Sequence, residues 1–144
     1  GSLTDEAVQY SIALHGNQPS PRGGMTLQSN HGVQDRWVEE HFSGIVESDE
    51  VPAILLTNSR TGSQHYAITS SQSTRAASRA SNPARSGPWD ATYWEIRQAL
   101  IDDHVLAGVP QSYINRLVAE SDRIFLPHRN NPALAHLFPA AGAP

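Results

Sequence analysis

The chain has no cysteine, so neither a disulfide nor a thiolate metal site is open to it. Any metal it holds must be met by His, carboxylate, amide or hydroxyl groups. Lysine is missing as well: all ten basic residues are Arg. No apolar run approaches the length of a bilayer span, and no charged-then-apolar leader opens the chain. The expectation is a soluble piece with no membrane span. A basic excess is also absent; the net charge of -4 counts against a general grip on nucleic acid. Arg-only usage leaves a local grip open, because guanidinium is the better bidentate phosphate ligand. A GC-rich coding sequence accounts for the same bias.

What is present is enough for one domain: 144 residues can bury a real core. Residues 4–15 read as an opening helix with Thr4 as N-cap and Gly16 as its end. Residues 17–24 are a loop by composition. Met25 to Gln28 alternates apolar and polar, which predicts a strand delivering Asn30 and His31 at its end. Over 33–42 the pairs Val33/Trp37 and Val38/Phe42 predict an amphipathic helix, and Gly44 a stop. An acidic irregular stretch follows, then a short buried strand over Ala53 to Leu56 and a polar turn over 58–63.

Residues 64–80 are rich in Ser, Thr and Ala and read as a helix. His65, Thr69, Gln72 and Arg79 fall within about 80° of arc on it. That stripe carries a ligand candidate and a phosphate-binding candidate, with Arg75 beside it. After a Pro/Gly-rich loop, two helices are predicted. The first starts near Asp90 and buries Tyr93, Ile96, Leu100 and Ala107. The second opens at Pro110 and buries Ile114, Leu117, Val118 and Ile124 or Phe125. The tail from Leu126, with Pro127, Pro132 and Pro139, reads as extended or disordered.

The chemistry concentrates in Gln28-Ser29-Asn30-His31-Gly32-Val33-Gln34-Asp35-Arg36-Trp37 and in His65. A histidine at a turn can take a proton from water near neutral pH, and one on a later helix can hold a metal. Trp37 and Trp94 read as core, and Arg36 is as readily a helix-surface residue. His15, His41, His104, His128 and His136 show no mutual spacing that suggests a site.

The order His-Gly-Val, Trp-containing helix, short strand, second His resembles the HNH/endonuclease VII-type (His-Me finger) nuclease domains of bacterial polymorphic toxins. Those domains stand at the C-terminal ends of Rhs-type and type VI secretion-type toxins. The resemblance implies an α+β fold, α-rich, with a small ββα-metal element packed on C-terminal helices. It implies three regions: an N-terminal helix and linker (1–23), a nuclease toxin domain (24–125) and a tail (126–144). It further implies a metal-dependent DNase with His31 as general base and His65, Asn30 and Thr69 as metal ligands. Arg75, Arg79 and Gln72 would meet the substrate.

In that family a His or Asp usually precedes the base. Asn30 stands here, and an amide oxygen ligates without charge. The implied ion is therefore a weakly held Mg²⁺ completed by waters, with Zn²⁺, Mn²⁺ and Ni²⁺ open. The implied partners are DNA and a cognate immunity protein. The implied setting is a longer effector, secreted by its producer and acting in the target-cell cytoplasm. The acidic stretch Glu47 to Glu50 should lie away from the cleft or meet a partner. Two rivals stand beside this reading. One is an ADP-ribosyltransferase-type toxin using Arg22, His31 and Glu120; the other is a non-catalytic interaction module.

Overall fold

The computed structural model describes residues 9–18, 27–57 and 63–144. Residues 4–8 of the predicted opening helix, most of the loop after it, Met25 and Thr26, most of the polar turn at 58–63, and Arg22 lie outside these. Among the described residues the fold is α+β, with three strands and four α-helices. Three strands, β1 (Ile12–Leu14), β2 (Leu27–His31) and β3 (Pro52–Thr57), form one antiparallel sheet in the order β1-β3-β2.

β3 is the centre of that sheet, and its run Pro52 to Leu56 is buried throughout. It needs to be apolar on both faces, because it also contacts two helices, α2 (Gln64–Ala80) and α4 (Gln111–Phe125). Its register sets Asn30 opposite Ile54 and His31 opposite Ala53. The two polar residues thus end a strand opposite the apolar Ile54 and Ala53. Gly32 then lets the chain turn against α4, because a Cβ there would lie 2.9 Å from Leu117 Cδ1 and Cγ.

The helices follow the apolar pattern. In α1 (Asp35–Phe42) Trp37, Val38 and Phe42 are buried, and Val33 is buried just before it. In α3 (Tyr93–Leu106) the buried apolar residues are Tyr93, Ile96 and Leu100; in α4 they are Ile114, Leu117, Val118 and Phe125. Ser63 caps α2 by accepting from the Tyr66 N–H. Thr92, rather than Asp90, caps α3, since Thr92 and Glu95 form a reciprocal capping box. Asp90 instead accepts from the Ser86 N–H.

Two expectations are corrected. The stretch predicted to close an opening helix holds β1, whose residues Ile12, Ala13 and Leu14 face Ile54, Ala53 and Pro52. The free edge of β3 offers backbone hydrogen bonds that outweigh a weak local helix signal. The tail is neither extended nor loose: it forms 3-10 turns at Leu126–Asn130 and Ala135–Leu137. Leu134 and Leu137 are buried in the core, and Trp94 Nε1 donates to the Pro139 carbonyl at 2.7 Å. Two apolar anchors and an indole bond outweigh the prolines.

Candidate functional site

His31 ends β2 and is half-buried, on the rim of a cleft of about 200 Å³. Asn30, Gln34, Asp35, Arg36, His65, Thr69 and Gln72 share that cleft. The end of β2, the start of α1 and one face of α2 therefore converge on it. Of the predicted site residues, Asn30, His31, His65, Thr69 and Gln72 are brought together.

The tautomers can be read from partners. The His31 Nε2 lies 3.2 Å from both the carbonyl and the hydroxyl of Ser48. A carbonyl only accepts, so Nε2 carries the hydrogen, and Nδ1 is left with its lone pair. None of the hydrogen bonds among the described residues engages that Nδ1. The same logic applies to His65. Asn30 Nδ2 donates to the His31 carbonyl at 3.2 Å, so its Oδ1 accepts from His65 Nδ1, also at 3.2 Å. His65 Nε2 is then unprotonated, with the Thr69 hydroxyl 3.5 Å away.

Burial, and next the neighbouring His15, push the His31 imidazole below the ordinary histidine value, against smaller upward pulls from Asp35, Ser48 and Asp49. Burial likewise lowers His65. Both rings are thus held neutral around pH 7, the state in which an imidazole can take a proton or bind a cation.

Arg75 and Arg79 are not in this cleft, and their placement departs from the expected phosphate stripe. Arg75 makes a bidentate pair with Asp103 at 2.9 Å on each arm. Arg79 is buried and donates to the Pro88 carbonyl at 2.7 Å. α2 carries both beyond the cleft and against α3 and the loop before it, where they tie elements together. Arg36, read as readily a helix-surface residue, is exposed and lines the cleft. Glu120 pairs with Arg123 on α4 at 3.4 Å and does not line the cleft.

Sequence reasoning missed three contributors. Asp35 lines the cleft with a buried Oδ1 that has no hydrogen-bond partner; its place just after His-Gly-Val was the available signal. Ser48, from the acidic turn, sits at the His31 edge outside the cleft lining, so that stretch abuts the base candidate from behind. His15, set aside as incidental, has its ring centroid 4.2 Å from that of His31. No local pattern could reveal it, since the two meet only through the sheet.

One comparison with known proteins bears on this cleft. A family model, Tox-SHH, described as an HNH/Endo VII superfamily toxin with a SHH signature, matches residues 25–126, well over half of the chain. Two segments of the matched span come within one residue of Ser-His-His, namely Ser29-Asn30-His31 and Ser63-Gln64-His65. Both end in a histidine of the cleft. No curated protein and no solved structure matches the chain.

Proposed function

The chain belongs to the HNH/endonuclease VII superfamily of toxins, and from that premise we propose that it is a metal-dependent endonuclease hydrolysing DNA phosphodiester bonds in competing bacteria. The observation that carries this reading is the His31 ring. Its Nε2–H is committed to Ser48, and its Nδ1 lone pair is left for a cleft that also holds Asn30 and His65.

In the proposed reaction His31 Nδ1 takes a proton from a water as the water oxygen bonds to phosphorus and the P–O3′ bond breaks, the departing 3′ oxygen taking its proton from solvent. The imidazolium so formed stays bonded through Nε2–H to the Ser48 carbonyl, which steadies both its orientation and its charge. Gln72 and Arg36, both in the cleft, would meet phosphate oxygens.

The donors fit a divalent ion of modest affinity. His65 would hold it through Nε2 and Thr69 through its hydroxyl, while Asn30, expected as a ligand, has its amide oxygen taken by His65 Nδ1–H and would orient that ring instead. The unpartnered Asp35 Oδ1 is an anionic oxygen lacking a counter-group, as expected beside a cation. No group of three or more His, Cys, Asp or Glu suited to a metal occurs among the described residues. Such a set suits Mg²⁺ completed by waters, ahead of Mn²⁺, Zn²⁺ or Ni²⁺. When bound, the ion would supply positive charge for the phosphate and the leaving oxygen.

By the same family reading, the domain belongs to a longer secreted polymorphic effector of Rhs or type VI type. It would act in the target-cell cytoplasm and be neutralised by a cognate immunity protein. The proposed site residues lie within the limits 24–125, and β1 and the packed tail complete the sheet and core around them.

Incubation with supercoiled plasmid DNA and Mg²⁺, Mn²⁺, Zn²⁺, Ni²⁺ or EDTA tests the reading. Cleavage is expected with at least one ion and none with EDTA. A folded His31→Ala variant should lose about 10²–10⁴-fold in rate. Intact plasmid under every condition would sink the endonuclease assignment and favour a binding module, and cleavage of RNA alone would overturn the DNA assignment.

A further inference from the structure

An imidazole that acts as a base must point one lone pair at one water, and an error of about 1 Å can cost 10²-fold in rate. The Ser48 contact controls only the edge of the His31 ring. It is long, at 3.2 Å, and comes from a 3-10 turn whose own Asp49 and Glu50 are exposed. The face of the ring is covered by another residue. The His15 ring lies 4.2 Å from it, centroid to centroid, with the planes inclined at 31°.

His15 is itself fixed from several sides. Its Nδ1 lies 2.8 Å from the Ser29 hydroxyl, and its backbone N–H donates to the Val51 carbonyl at 2.9 Å. Just before it, Leu14 is in register with Pro52. Ser29 and His31 are two apart on β2 and so project to the same side of the sheet. One anchors His15 and the other stacks on it. Gly16 then closes on the acidic turn: a Cβ there would lie 2.9 Å from Asp49 Cβ. The segment around His15 therefore touches both groups that could hold the His31 ring, its face directly and its edge through the turn that carries Ser48. None of this segment falls within the matched span of residues 25–126.

We propose that His15 is a positioning residue for the His31 base: its imidazole braces the face of the His31 ring while Ser48 holds the edge. This rests on the reading of His31 as the base. The brace is supplied by β1 and the turn after it, so the N-terminal segment is part of the working unit and not a linker.

The test combines kinetics with imidazole nitrogen chemical shifts, the His31 signals being assigned by their loss in His31→Ala. In the parent, His31 should appear as the single Nε2–H tautomer. In His15→Ala both tautomers should appear, with kcat on plasmid DNA and Mg²⁺ down about 10- to 100-fold and KM little changed. His15→Phe keeps a ring against the face and should recover most of the lost kcat, a rescue that lost packing elsewhere would not follow. Unchanged His31 nitrogen shifts in folded His15→Ala would overturn the brace. So would parental kcat in that variant while His31→Ala is inactive. If His15→Ala does not fold, Ser29→Ala frees the anchor, and parental His31 shifts there overturn it equally. Should His31→Ala itself remain active, the base reading falls, and the nitrogen shifts still decide the brace.

Discussion

On the helical side of the molecule Trp37 packs against Phe42, Tyr93 and Phe125, with ring centroids 5.4, 6.1 and 5.9 Å apart. On the cleft side His31, Asn30 and His65 meet through single polar contacts of 3.2 Å. The first arrangement is redundant: each ring has several neighbours, and the indole N–H also donates to Ala91 at 2.9 Å. The second is sparser: each side chain is held by two or three long polar or ring contacts in place of close apolar packing. Stability and the proposed chemistry therefore rest on different residues and should fail separately.

The largest expected effects come from crossing the two regions. Trp37→Ala should destabilise by about 3–5 kcal/mol, since a fully buried indole leaves a cavity the aromatic cluster cannot close. Whatever remains folded should keep near-parental kcat. His31→Ala should do the reverse, removing cleavage with little change in melting temperature, because its ring is half-buried and its bonds are long. Melting curves and kcat on the same two variants decide this. A His31→Ala variant destabilised as much as Trp37→Ala would erase the distinction.

The same contrast explains what could be read from sequence. Apolar spacing made α1 and the buried faces of α3 and α4 legible, because those faces answer to a local period of 3.6; β3 was legible as a short apolar run and α2 from its composition. His31, Asn30 and His65 were legible as a group only through a motif order. The residues around them were not. His15 reaches His31 through strand pairing, and Ser48 reaches it from a turn with no motif. Arg75 and Arg79 show the opposite failure: a helix stripe is a local fact, but what faces it is not. Asp103 and the Pro88 carbonyl, on and just before the next helix, had already claimed them.

Arg75 offers the next test. Asp103 has 3% side-chain exposure and accepts from both arms of Arg75 and from Ser71 at 2.6 Å. Removing Arg75 leaves a buried carboxylate short of its cation. Because Arg75 is itself 32% exposed and the Ser71 bond survives, the cost should be about 1–3 kcal/mol, below the full value for a buried pair. Arg75→Ala should lower the melting temperature and leave the salt dependence of DNA binding unchanged. Arg36→Ala should do the opposite, reducing the log–log salt slope by about one unit. A flattened slope in Arg75→Ala would return that residue to the substrate path.

His65→Ala sharpens the cleft side alone. Loss of the one imidazole proposed to touch the ion should weaken Mg²⁺ or Mn²⁺ binding by about tenfold or more, with activity partly restored at high ion concentration as water fills the place. Calorimetric titration of both forms reads this without reference to turnover. Equal affinities would move the ion away from α2.

The smallest effect concerns a histidine on the helical side. His104 is fully buried in α3, its Nδ1 donates to the Leu100 carbonyl at 2.7 Å, and its Nε2 has no partner among the described residues. Adding a proton there would place an unpaired cation in the core, so burial holds its pKa below the ordinary 6.5. The unfolded chain therefore binds the proton first as pH falls. Stability from this group is complete above about pH 6.5 and is lost as pH drops from there towards the folded value. His31 and His65 are lowered too and act with the same sign, but both are half-exposed and contribute less. Melting temperature should thus decline between about pH 7.5 and 5.5 in the parent. His104→Leu fills similar space without a titrating nitrogen, so its melting temperature should fall less over the same range. Equal slopes would place the acid sensitivity in the cleft histidines, and the separation between a stability-bearing side and a chemistry-bearing side would no longer hold for protons.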